Sequence, residues 1–79
     1  MAVWVVTNGI GDILKVCKSA DKAFMFVIAK IYNCEDVTTV QKMEAIRRLS
    51  KRYEKDSANY YVEFGDHVID IEQCEVEEE

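Results

Sequence analysis

Proline is missing from this chain, and glycine stands at three positions only, Gly9, Gly11 and Gly65. So few breakers exclude collagen-like, linker-like and low-complexity architectures and confine the turns to a few sites. No apolar run approaches the ~20 residues needed to span a bilayer as a helix. Met1 to Thr7 has neither the basic nor the long apolar stretch of a secretory leader, so the expected compartment is the cytoplasm. Cysteine is odd in number, at three. Cys17, Cys34 and Cys74 contain no C-x2-C pair, which argues against a disulfide framework, a cysteine-rich zinc motif or a redox motif. They are expected as reduced, mostly buried small hydrophobes, with Cys34, in a loop, the candidate reactive thiol.

Histidine occurs once, so acid–base or metal chemistry would have to be built around His67. Gly65 and Asp66 beside it mark an exposed hairpin end, and no spacing pairs it with Cys34 or Cys74. Asp70 and Glu72 read as solvated strand residues rather than a general acid/base couple. Gly9-Ile10-Gly11 lacks the third glycine, the helix start and the lysine of a phosphate loop. No catalytic residue, metal ligand or cofactor is therefore assigned, and the expectation is a protein that is not an enzyme.

What is present is a folding composition: 79 residues, 49% apolar and 32% charged. That is one domain, 1–79, with a thin core, for which an oligomer or a partner is a reasonable expectation. Ala2 to Thr7 and Ile13 to Lys18 read as a hairpin joined by a five-residue loop, with Trp4 in the core. Ser19 is a candidate N-cap, with Asp21 in the first turn of a helix running to about Asn33. Phe24, Val27, Ile28 and Ile31 form its core stripe, while Met25, Phe26, Ala29 and Tyr32 lie off it. A helix apolar nearly all round is buried on more than one side, so this second face predicts a dimer or partner contact. Thr38 and Gln41 match a capping box opening a second helix to about Lys55. Its apolar stripe is read as Val40, Met43, Ile46, Leu49 and Tyr53.

Tyr60 to Phe64 and His67 to about Val76 alternate as strands around a II′-type turn at Gly65-Asp66. Cys74 and Val76 fall out of phase with Ile71, which predicts a bulge near Gln73. Residues 77–79, all glutamate, are expected as a frayed acidic tail. The fold class is α+β, in the order ββααββ, a four-stranded mainly antiparallel sheet with two helices on one face.

Val3 to Gly9 (VWVVTNG), Leu14 to Ala23 (LKVCKSADKA) and Val68 to Glu78 (VIDIEQCEVEE) resemble a group of small bacteriophage and prophage proteins. These open with a V-x-V-V-T-x-G strand, start a helix with S-x-D/E-K-A and close on an acidic strand. The match covers about half the chain, and the long basic second helix departs from the pattern. The resemblance brings no activity and no site residues. It implies a phage gene product in a bacterial cytoplasm, where many such proteins bind and disable host factors.

The net charge of −5 conceals a segregation. Residues 1–37 balance at four basic and four acidic groups, 38–55 hold six basic against two acidic, and 56–79 hold nine carboxylates with no Lys or Arg. One reading is mutual neutralisation across the fold and an ordinary solvated surface. A sharper one makes Glu63, Asp70, Glu72 and Glu75 a line of carboxylates offered to a protein that normally holds nucleic acid. A third gives Arg47, Arg48, Lys51, Arg52 and Lys55 to phosphates, with Tyr53 or Tyr61 stacking a base. Against this last stands the isoelectric point near 4.8. The favoured expectation is an acidic phage-type inhibitor or modulator docking on a host protein, conceived as a nucleic-acid-handling or CRISPR/defence enzyme. Alternatives are a homodimeric structural or regulatory module, and a nucleic-acid binder using the basic helix 39–55.

Overall fold

Local signals set the element boundaries. In the computed structural model, which describes residues 1–77, the order is β1 (Ala2–Asn8), β2 (Ile13–Cys17), α1 (Ala20–Tyr32), α2 (Thr39–Lys55), β3 (Asn59–Phe64) and β4 (His67–Glu75). Ser19 caps α1, its hydroxyl accepting from the Lys22 amide at 3.4 Å. Thr38 and Gln41 form the full reciprocal capping box of α2, at 3.1 and 2.8 Å. The β1–β2 loop closes on Asn8, whose Oδ1 accepts from the amides of Ile10 and Asp12. Such an Asx turn replaces ladder bonds that the loop backbone forgoes.

The strands form one open antiparallel sheet in the order β2-β1-β4-β3, so the first and last strands pair at its centre. This is an α+β fold with both helices on one face. Val6, Tyr60, Val62, Phe64, Ile69 and Ile71 turn toward the helices and meet Ala23, Val27, Ile31, Ala45 and Leu49 in one buried cluster. Trp4 packs against that cluster half-buried, and its indole N–H donates to the Ser57 carbonyl at 3.0 Å. Of the tail, Glu77 is exposed and outside the strands, and Glu78 and Glu79 lie outside the described residues.

Three expectations change. Val40 and Met43 are not core: they are 64% and 66% exposed, and Phe24, Ile28 and Ile46 are only half-buried. A helix turns about 100° per residue, so steps of three back from Leu49 drift about 60° each and put Val40 on the opposite side. Ala45, four before Leu49, holds the core position instead. No bulge occurs at Gln73: β4 pairs with β1 one to one from Glu75 opposite Ala2 to Ile69 opposite Asn8. Cys74 therefore sits on the open face, half-buried. The irregularity lies in β2, where Lys15 faces Val6 but Ile13 faces Thr7, leaving Leu14 as the extra residue. Leu14 uses it to reach the core.

Candidate functional site

Strand alternation decides where the candidate carboxylates go. Ile69 and Ile71 point at the helices, so Asp70 and Glu72 point away, and Glu63, between Val62 and Phe64, joins them. Across the ladder Asp70 stands beside Thr7 and Tyr61, and Glu72 beside Val5 and Asn59. Glu75 falls on the other phase and lies 3.5 Å from the N-terminal ammonium group. The expected line of four carboxylates is thus three on the open face and one on the reverse.

The open face is divided. Its β3–β4 side is acidic, whereas its β1–β2 side carries Val3, Val5, Thr7, Ile13 and Val16, the last 51% exposed. The helix-covered side is opposite in sign. Arg47, Arg48, Lys51 and Lys55 are exposed along α2, and Arg48 pairs with Glu44 of the same helix at 3.8 Å. Arg52 is committed locally, donating to the Tyr61 carbonyl at 2.8 Å with its guanidinium 4.2 Å from the Tyr61 ring centre. Among the described residues no ion pair joins the basic helix to the acidic strands. Arg47, Arg48, Lys51 and Lys55 thus lie along the helix layer, whereas Arg52 reaches Tyr61, the cross-strand neighbour of Asp70.

The apolar residues off the core stripe of α1 differ in exposure. Met25 and Tyr32 are 61% and 70% exposed and Ala29 is exposed between them. Phe26 turns aside, half-buried against the core, with the Lys30 ammonium 5.7 Å from its ring centre.

A second assembly links the α1–α2 loop to the β3–β4 hairpin. The Cys34 thiol donates to Asp36 Oδ1 at 2.7 Å, and His67 Nε2 lies 2.9 Å from both Asp36 oxygens. The hydrogen bonds from Cys34 and then His67 hold the Asp36 carboxyl below its usual range, and the bond to Asp36 holds the Cys34 thiol above its own. Two features bring the loop and hairpin together. Gly65, at φ +59°, makes the II′ turn, and a Cβ there would lie 2.6 Å from Val37 Cγ1. His67 then stacks on Phe64 at 5.2 Å. Beside the cluster is a cleft of about 380 Å3 lined by Leu14, Lys30, Asn33, Phe64 and Ile69 together with Cys34 and His67.

In a thiol–imidazole nucleophile the imidazole stands between thiol and carboxylate and takes the thiol proton. Here the carboxylate stands in the middle and favours the protonated thiol. Cys34, Asp36 and His67 do offer sulfur, oxygen and nitrogen donors, all within 4.8 Å of one another. In the sequence Cys34 and His67 stand apart as candidates, and nothing marks Asp36 as their link. C-x-D is too short a signal, and His67 is 31 residues from Asp36.

Set against protein-family models, curated protein sequences and solved structures, the chain matches none of them. Among the described residues no helix is long and apolar enough to cross a membrane.

Proposed function

We propose that this chain is a non-enzymatic, acidic binding protein that docks the open face of its sheet on another protein and modulates or inhibits it. The observation that carries this reading is the face itself: Glu63, Asp70 and Glu72 beside a β-branched apolar strip, on the side the helices leave uncovered. Apolar area supplies affinity, while a carboxylate row supplies steering and selects a partner with a basic surface. Asp70 and Glu72 are two residues apart on one face, about 6.6 Å along the strand. That is about twice the ~3.4 Å axial charge repeat of one DNA strand. A basic protein surface that holds nucleic acid is thus the matching partner.

The resemblance to phage proteins favours a partner in a bacterial host cytoplasm, a nucleic-acid-handling or defence enzyme, with a CRISPR effector among the candidates. The test is affinity capture from a bacterial lysate with three baits: the natural chain, Asp70→Asn with Glu72→Gln, and Arg47→Glu with Arg48→Glu and Lys51→Glu. A partner retained by the natural and basic-helix baits and lost by the open-face bait supports the reading. Loss on the basic-helix bait alone, or direct DNA or RNA binding by the chain at physiological salt, overturns it.

A homodimer is the second reading, and one observation favours it. Met25 and Tyr32 on α1 and Val40 and Met43 on α2 are large apolar side chains left exposed on the helix layer. Light scattering on Met43→Glu and on Met25→Glu distinguishes it: a dimer that dissociates in either variant is held by the helices.

A further inference from the structure

We propose that Cys34, Asp36 and His67 bind a zinc ion that ties the α1–α2 loop to the tip of the β3–β4 hairpin. Cys34 and Asp36 in the α1–α2 loop and His67, 31 residues beyond Asp36, bring three donor atoms to within 4.8 Å of one another. Tetrahedral zinc, with Zn–S about 2.3 Å and Zn–N and Zn–O about 2.0–2.2 Å, sets its ligands roughly 3.3–3.6 Å apart. The hydrogen-bonded contacts of 2.7 and 2.9 Å are somewhat tighter than that. A modest spreading of exposed side chains makes room, and Asp36 and His67 are both exposed.

The donor set selects the metal. Magnesium and calcium take oxygen ligands, whereas one thiolate, one imidazole and one carboxylate suit zinc. On binding, the Cys34 thiol gives its proton to solvent and the sulfur takes a metal bond. His67 binds through Nε2 as the neutral ring. Three protein ligands leave a fourth position for water beside the cleft lined by Lys30, Asn33 and Phe64. The location gives the site a structural consequence. Gly65 already brings the hairpin onto Val37, and a metal bridge across the same junction stabilises a core too small to be generous.

The test is a zinc titration of the metal-free full chain against a chromophoric chelator, repeated with Cys34→Ser, Asp36→Asn and His67→Gln, and with Cys74→Ser as a control outside the cluster. One zinc per chain is expected. Each cluster substitution should weaken binding at least ten-fold, since even outer-shell partners of a metal site cost about 10–100-fold, and Cys74→Ser should leave it unchanged. Cobalt(II) in the natural chain should give a thiolate-to-metal charge-transfer band in the near ultraviolet. The same band in Cys74→Ser excludes Cys74 as its source and keeps the test decisive even if a cluster variant folds poorly. A natural chain without stoichiometric zinc, cobalt bound without that band, or Cys34→Ser binding as tightly as the natural chain overturns the proposal.

Discussion

Tyr60→Phe should stabilise this protein. Tyr60 is 4% exposed, and its hydroxyl has no hydrogen-bond partner among the described residues. A hydroxyl buried without a partner costs about 1–3 kcal/mol relative to its hydrated state in the unfolded chain. Phenylalanine keeps the ring and its edge-on contact with Tyr53, 5.7 Å between centres at 76°. A net gain of about 1 kcal/mol is expected, which for a domain of this size raises Tm by roughly 4–8 °C. The same burial pushes the Tyr60 phenol well above the usual tyrosine range. The folded state thus holds a proton that the unfolded state releases near pH 10. Stability is complete below that pH and falls above it, at a slope approaching 1.4 kcal/mol per pH unit from this group. Urea denaturation between pH 8 and pH 11 measures both effects. The phenylalanine variant should be the more stable and should lose this share of the alkaline slope. A variant less stable than the natural chain, with the slope intact, would refute the reasoning.

The phase of α2 is tested by a pair of truncations. Leu49→Ala, at a fully buried position, should cost about 3–5 kcal/mol, and Met43→Ala, mostly exposed, within about 0.5 kcal/mol; equal costs would contradict the phase. Gly65→Ala should cost at least about 2 kcal/mol in chemical denaturation, because the left-handed backbone disfavours a side chain and the added methyl meets Val37. The same variant should lower zinc affinity by displacing His67, and unchanged affinity would argue against a shared junction.

The legible parts of the fold were those written locally. Ser19 and the Thr38–Gln41 box announce helix starts because a cap is satisfied within a few residues of itself. Tyr60, Val62 and Phe64 announce a half-covered strand by alternation alone. The stripe of α2 misled because small Ala45 carries little hydrophobic weight, whereas Val40 and Met43 carry much and point outward. Cys74 and Val76 suggested a bulge because a break in alternation reads as a change of phase. Cys74 instead belongs to the open face, which has apolar members of its own at Val3 and Val5. That face also explains the carboxylates: the pattern predicted Asp70 and Glu72 together, and only the uninterrupted register sends Glu75 to the other side. The Cys34–Asp36–His67 cluster was illegible for a different reason. It depends on a close approach between a loop and a hairpin tip, which no sequence period encodes.

Recognition through the carboxylates of the open sheet face is what the proposed function rests on. Its most direct test is the association rate of the captured partner as a function of salt, for the natural chain and for Asp70→Asn with Glu72→Gln. Exposed charges steer association only within the screening length, which shrinks from ~10 Å at 0.1 M salt to ~3 Å at 1 M. The natural chain should associate at least about ten-fold more slowly across that range, and DNA should compete for the partner. The double variant should start slow and respond weakly to salt. A rate that is flat in salt and unaffected by the double substitution would contradict the claim.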